Sequence, residues 1–246
     1  MSDPDLAQRA TPDDPALRTP TWGLGDAAVG FLLGLTGSVL AVSLVVAITG
    51  DDTDDLSLAW LNVAQIGLWL PLLGIALWAA AVKGNGAVRD FGLRILSWDL
   101  PLGAVAGVLC QFVLLPLVYV PILWITNTDT EKLNDVAQEL TDRADNGFGI
   151  AMLVVLTGIG APIVEEIFYR GLVLRSLERR WGPTPAILVS GLLFGAVHFQ
   201  LLQLPGLAIF GVVLAWLTIR TGRLGPAIAA HMAFNLVTVV ALVADN

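Results

Sequence analysis

The sequence predicts an all-α fold, a polytopic membrane helix bundle of about seven transmembrane helices with its N-terminus in the cytosol. Three observations lead to this prediction. Of the 246 residues, 56% are hydrophobic and only 14% are charged, whereas a soluble domain has about 25% charged residues. The apolar residues form blocks, mostly longer than the roughly 18 uncharged residues that indicate a spanning helix. The lysines and arginines are unevenly divided between the segments that connect these blocks.

The seven spans are predicted from these blocks, and the fourth span includes Glu165 and Glu166. The fifth and sixth spans come from one stretch, because the 39 residues between Arg180 and Arg220 contain no Asp, Glu, Lys or Arg. That length is too great for one span, and Gln200–Gly206 offers a polar turn with a proline suited to a helix start. The predicted spans are Ala27–Thr49, Leu56–Val82, Leu100–Ile125, Phe148 to about Leu174, Pro183 to about Phe199, Pro205–Ile219 and Leu224–Ala244.

The basic residues predict the orientation of the bundle. Only Lys132 and Arg143 fall on the side of the acidic segment Asp51–Asp55, and the other eleven of the thirteen fall on the opposite side. The positive-inside rule places these eleven in the cytosol. They are Arg9, Arg18, Lys83, Arg89, Arg94, Arg170, Arg175, Arg179, Arg180, Arg220 and Arg223. We therefore expect a multi-pass protein of the cell membrane, with membrane lipid as a partner.

The remaining features predict one domain and exclude several classes of function. Residues 1–22 are expected to form a disordered cytosolic tail, because the first twenty contain four prolines and four aspartates. Residues 23–246 are expected to form a single transmembrane domain. The single cysteine, Cys110, permits no disulfide within the chain. Strongly basic patches with interleaved aromatic residues are absent from the sequence, so nucleic-acid binding has no support.

Ionisable residues inside a span are costly and indicate a functional site. Glu165, Glu166 and Arg170 close the fourth span. Glu166 and Arg170 are four residues apart, so they share a helix face and can form an ion pair. Glu165 is turned about 100° from Glu166 on an α-helix. We therefore expect one neutralised carboxylate and one free carboxylate, with the ion pair supporting the site.

The two histidines of the chain lie in later spans. His198 is in the fifth span, four residues after Phe194, so the phenylalanine ring can fix the imidazole by packing. His231 is in the seventh span, four residues before Asn235, and shares a face with it. Three helices can therefore bring a free carboxylate, two imidazoles and a carboxamide into one space.

This set of side chains is suited to hydrolysis of an amide bond. A carboxylate beside a histidine can activate water as a general base. A second histidine and an asparagine can donate hydrogen bonds to a developing oxyanion. Alternatively, Glu165, His198 and His231 could hold a zinc ion, which accepts three such ligands and a water molecule. The sequence contains no HExxH pair.

At these residues the sequence resembles the CPBP family, which comprises the CAAX prenyl endopeptidases of type 2 and Abi-type intramembrane proteases. The family's motifs EExxxR, FxxxH and HxxxN occur complete and in order, as "EEIFYR" at 165–170, "FGAVH" at 194–198 and "HMAFN" at 231–235. Each motif alone is weak, whereas the ordered triple inside membrane spans is specific. The resemblance covers Phe148 to about Val240 and implies a catalytic core at about residues 148–240.

The resemblance also implies roles for the motif residues. Glu165 matches the catalytic glutamate, and His198 matches its partner in activating water. His231 and Asn235 match the pair that stabilises the oxyanion. The resemblance assigns supporting positions to the other motif residues, Glu166 and Arg170, while Phe194 is expected to support His198 by packing. We prefer a mechanism without a cofactor, because a shared face for His231 and Asn235 then has a purpose, and zinc remains the alternative.

The sequence therefore predicts an intramembrane endopeptidase that hydrolyses a peptide bond of a peptide or membrane-protein substrate, in a cavity open toward the cytosol. The alternatives are a non-catalytic membrane scaffold or immunity protein of the same family, and a transporter that uses Glu165 as a carrier site. A transporter lacks support, since the paired discontinuous segments common in transporters are missing from the sequence. Nothing in the sequence indicates a prenylated substrate.

Overall fold

A computed structural model of the chain describes residues 18–133, 135–144 and 146–245. These residues form helices and turns without a strand, which confirms the all-α prediction. Within the described chain, six helices are long and apolar enough to cross a membrane, and Pro183–Ala196 is a shorter apolar helix. The protein is therefore a multi-pass integral membrane protein, with six such helices and one shorter one where about seven spans were predicted.

Nine helices follow one another along the described chain, and two of them, the third and the fifth, are short connecting helices. Single 3₁₀ turns lie at Thr53–Asp55 and Thr130–Leu133. The helices are α1 Leu24–Thr49, α2 Leu58–Lys83, α3 Ala87–Asp90, α4 Asp99–Thr126, α5 Asp135–Asp142, α6 Gly147–Trp181, α7 Pro183–Ala196, α8 Leu204–Thr221 and α9 Gly225–Asp245.

Helix α7 is shorter than the fifth predicted span. It has 14 residues, a length of about 21 Å, whereas the hydrocarbon core of a bilayer is about 30 Å thick. It begins at Pro183 and ends at Ala196, so the expected extension to Phe199 is wrong. Phe199 has a positive φ of 56°, which turns the chain away from a helical path. His198 consequently lies just beyond the end of a helix that is shorter than the hydrocarbon core is thick.

The end of the expected tail packs on the bundle. Residues 1–17 lie outside the described residues, but Trp22 is only 3% exposed. Its indole nitrogen donates a hydrogen bond to Asp90 Oδ2 at 2.8 Å, and its ring lies 5.1 Å from that of Phe91, edge to face. A disordered state therefore does not extend to residue 22, because burying an indole fixes the chain around it.

Close helix packing uses small residues. Helix α1 packs along α2, α4 along α9, and α7 along α8. At the crossing of α1 and α2, a Cβ atom on Gly37 would lie 2.2 Å from the carbonyl oxygen of Gly67. Glycine is thus required there for the backbones to approach, as is common between membrane helices. The outer face of α1 keeps Leu32, Val39 and Leu44 exposed, which suits contact with lipid.

The bundle has two chemically different ends. We call one the basic end, formed by residues 18–26, 83–99 and 222–224 with the last turns of α6, and the other the acidic end, formed by residues 50–57, 127–133, 135–144, 146 and 197–203. At the acidic end, Arg143 donates to the carbonyl of Leu56 at 2.8 Å. Gln203 donates from Nε2 to the carbonyl of Leu133, also at 2.8 Å. These bonds join the three segments of the acidic end to one another.

Candidate active site

Helix α6 carries the first motif at a change in its hydrogen-bonding pattern. The helix is α-helical over Ala161–Glu165 and π-helical over Glu166–Val173. Wider π turns inside an α-helix often occur at functional sites. Glu166 and Arg170 are fully buried and form the predicted ion pair, with Glu166 Oε2 3.2 Å from Arg170 Nε. The α-helical angle of about 100° does not apply beyond Glu166, yet the pair still forms.

Glu166 also binds His231, which sequence spacing did not predict. The second carboxylate oxygen of Glu166 lies 3.0 Å from His231 Nδ1. Arg170 donates from Nη2 to the carbonyl of Gly211 at 3.3 Å, and its guanidinium lies 4.2 Å from the centre of the Phe194 ring. The buried pair therefore fixes the orientation of His231, in the way that outer-shell carboxylates orient histidines in other sites.

His198 is oriented by the helix that precedes it. Its Nδ1 lies 2.7 Å from the carbonyl oxygen of Phe194. A carbonyl can only accept, so Nδ1 carries the hydrogen and Nε2 of the neutral ring presents a lone pair. The ring centres of His198 and Phe194 are 4.9 Å apart, edge to face. The expected packing of this imidazole on Phe194 is therefore observed.

Asn235 lies one turn after His231 on α9. Its Nδ2 donates to the carbonyl of Thr157 at 2.7 Å, and an amide group has a second N–H that remains for another acceptor. Thr157 belongs to a second π-helical segment of α6, Val154–Gly160. Sequence reasoning missed Thr157, because a threonine in an uncharged run carries no signal of a contact with another helix.

A cavity of about 530 Å³ brings the predicted residues together. Glu165, Phe194, His198, His231 and Asn235 all line it, whereas the supporting pair formed by the other two motif residues lies behind the wall. The grouping of one free carboxylate, two imidazoles and a carboxamide around a shared space is therefore present.

Three buried oxygen atoms in this cavity have no hydrogen-bond partner among the described residues: Glu165 Oε2, Gln111 Oε1 and Gln200 Oε1. Buried polar atoms are normally paired, so such atoms call for a bound group. Glu165 is the free carboxylate that the sequence predicted. Gln111 and Gln200 were missed, although a polar residue inside an apolar block is itself a signal.

The lining residues show the direction in which the cavity extends. On α9 they run from His231 to Leu242, and on α6 from Glu165 back to Leu153, in both cases toward the acidic end. Residues of the acidic end itself, Leu133, Gln200 and Gln203 among them, complete the wall. No described residue of the basic end lines the cavity. The cavity therefore extends away from the end of the bundle where the described chain begins, at residue 18.

Zinc remains the alternative for Glu165, His198 and His231. Each histidine is held through Nδ1, as zinc-bound histidines commonly are. However, no three His, Cys, Asp or Glu side chains within the described residues are placed so that they could hold one metal ion. The side chains that line the cavity can carry out the proposed chemistry by themselves.

Comparisons with known proteins match the same part of the chain. Residues 147–237 match the family model described as type II CAAX prenyl endopeptidase Rce1-like, which confirms the resemblance predicted from the three motifs. A protein of Bacillus subtilis (strain 168) named "Putative membrane peptidase YdiL" is 31% identical over 91 residues. This alignment spans 37% of the present chain and 37% of the relative. No solved structure matches the chain.

Proposed function

We propose that this protein is an intramembrane endopeptidase that hydrolyses a peptide bond of a membrane-associated substrate with a water molecule activated by Glu165 and His198. One observation carries the proposal. A carboxylate oxygen of Glu165 is buried with no hydrogen-bond partner among the described residues, in a cavity that both imidazoles and the carboxamide of Asn235 also line. The match of residues 147–237 to an endopeptidase family supports the same activity.

The reaction begins with a water molecule between Glu165 and His198. The lone pair of His198 Nε2 accepts one hydrogen bond from the water, and Glu165 takes up the other proton as general base. The oxygen of the water bonds to the carbonyl carbon of the substrate, and the carbonyl electrons move to the oxygen. Glu165 then transfers its proton to the amide nitrogen, the C–N bond breaks, and an acid and an amine result.

The oxyanion of this intermediate is stabilised from α9. Asn235 has an N–H left after its bond to Thr157. His231 holds its Nδ1 hydrogen on Glu166, so it can donate from Nε2 only as an imidazolium. Each hydrogen-bond donor to a developing oxyanion raises the rate of the reaction by about 100- to 1000-fold in a site shielded from water.

Substitution of Glu165 by glutamine tests the proposal. Glu165→Gln keeps the shape of the side chain and removes the base, so cleavage should fall by at least about 100-fold. Glu178→Gln is the matched control, because Glu178 is on the same helix, pairs with Arg175 at 2.8 Å and lies outside the cavity. Comparative proteomics of cells with wild-type and Glu165→Gln protein identifies the substrates. Unchanged fragments in both would refute the assignment and leave the scaffold or immunity alternative.

Removal of metal separates the two mechanisms. In the metal-free reaction, a chelator leaves cleavage unchanged and elemental analysis of the purified active protein finds less than one zinc per chain. If a chelator abolished cleavage and added zinc restored it, Glu165, His198 and His231 would have to move together into a metal site. Such a result would replace the general-base mechanism proposed here.

A further inference from the structure

We infer that the cavity is entered from the non-cytosolic side of the membrane, and that its substrates are membrane-anchored or translocated segments whose scissile bond lies on that side. The substrate part of this inference rests on the proposed function. The accessible side of the cavity does not, because it follows from charge and shape. The sequence led to the opposite expectation, a cavity open toward the cytosol.

The first step is the short helix α7. It starts at the basic end with Pro183 and stops after 14 residues, about 9 Å short of a hydrocarbon core that is about 30 Å thick. The segment 197–203 therefore begins nearer the middle of the bundle than a full-length span would place it. His198, Gln200 and Gln203 of this segment line the cavity.

The second step is the closure of the basic end. Five side chains at this end, or on the part of α6 that leads to it, have no exposed surface: Phe91, Arg170, Leu172, Leu174 and Leu224. At the same end, the backbone amide of Leu224 donates to the carbonyl of Gly92 at 2.8 Å. A peptide approaching from the basic end would have to separate these groups, whereas the cavity walls already extend to the acidic end.

The third step assigns the two ends to the two sides of the membrane. Contacts join the segments of the basic end directly, because Arg179 binds the carbonyl of Trp22 and Arg223 binds Asp99 at 2.7 Å. The basic residues that are scattered along the sequence thus gather at one end of the fold. The only lysine and arginine in the sequence segments of the acidic end are Lys132 and Arg143. This distribution places the basic end in the cytosol and the acidic end outside.

The lining restricts what the cavity can accept. Its walls are mostly leucine, valine, proline and aromatic residues, with neutral polar groups such as Gln111, Thr141 and Gln200. Glu165 is the only Asp, Glu, Lys or Arg residue among the lining residues that the structure describes. An extended, mainly apolar peptide segment fits this wall, since the unpaired glutamine oxygens can accept its backbone N–H groups. A lipid-modified C-terminus in the cytosol would face the closed end.

Thiol accessibility tests the inference without a substrate. In a Cys110→Ala background, three single-cysteine variants are made: Thr238→Cys in the cavity wall, Ser57→Cys at the exposed acidic end and Ser97→Cys at the exposed basic end. Each is treated with a charged, membrane-impermeant methanethiosulfonate reagent in sealed right-side-out and inside-out membrane vesicles. We expect Thr238→Cys and Ser57→Cys to react in right-side-out vesicles and Ser97→Cys to react only in inside-out vesicles.

Each other pattern overturns the inference. Reaction of Ser57→Cys only in inside-out vesicles would mean that the orientation is reversed. Reaction of Thr238→Cys only in inside-out vesicles, or in neither preparation, would mean that the cavity is not open at the acidic end. None of these outcomes depends on catalysis, so they are distinct from a failure of Glu165→Gln to abolish cleavage. Once a substrate is known, its Glu165-dependent fragments should be released on the non-cytosolic side.

Discussion

The basic and acidic ends of the bundle are built in opposite ways. At the basic end, charged side chains tie the helices together: Lys83 binds Asp26 at 2.5 Å, and Arg223 binds buried Asp99 through two nitrogen atoms at 2.7 and 3.2 Å. At the acidic end, single hydrogen bonds to backbone carbonyls from Tyr119, Gln203 and Arg143 join the segments. The cavity extends only toward the more weakly joined end.

This difference indicates how a membrane helix bundle can admit water to a buried site from one side without forming a continuous channel across the membrane. In the proposed enzyme, ion pairs and buried side chains close one end, so water and substrate would reach Glu165 from the other side. The opposite end needs few strong contacts, because the cavity itself occupies the space between its helices. Changes at the two ends should therefore affect stability and access differently.

The largest effect is expected for the ion pair below the cavity floor. Glu166→Gln leaves the fully buried Arg170 without its carboxylate and should destabilise the protein by about 3–5 kcal/mol. The double variant Glu166→Gln/Arg170→Met removes both charges and should recover part of that loss. Thermal unfolding in detergent measures both. A loss below about 1 kcal/mol for the single variant, the range of an exposed pair, would show that this pair does not secure the closed end.

A smaller effect is expected for the ion pair at the basic end. The hydrogen bond that Arg223 donates to Asp99 raises the pKa of the guanidinium. Asp99→Asn keeps the shape and removes the charge, so unfolding stability should fall by about 1.5–3 kcal/mol. Asp55→Asn at the exposed acidic end is the matched control and should change stability by less than about 0.5 kcal/mol. Equal losses in the two variants would contradict the contrast between the ends.

The smallest effect is expected for a hydrogen bond at the acidic end. The hydroxyl of Tyr119 donates to the carbonyl of Gln203 at 2.9 Å and accepts from the amide of Gly206 at 3.1 Å. Tyr119→Phe should cost only about 1 kcal/mol of stability but should speed hydrogen exchange of the amides in residues 197–203. Amides of residues 87–99 at the basic end are the internal control. Faster exchange at both ends would show that the hydroxyl supports the whole bundle.

The sequence predicted the helical membrane fold, the approximate position of every span, and the residues that meet in the cavity. These features depend on local properties: the length of apolar blocks, the four-residue spacing of Glu166 and Arg170, and polar residues where lipid disfavours them. The early stop of α7 was not predicted, because residues 183–199 contain no Asp, Glu, Lys or Arg and their composition gives no reason for a helix to end at Ala196. The bond between Glu166 and His231 joins residues 65 positions apart, and no local spacing specifies it.

By itself, the sequence determined that the chain is a membrane protein, which of its residues are too polar for lipid, and which connecting segments are basic. Hydrophobicity and charge act on each segment separately, so they can be read along the chain. Only the tertiary structure decided that the cavity extends toward the acidic end, because that depends on where seven helices leave space between them. The direction of a cavity is a property of packing among distant residues, and no single segment carries it.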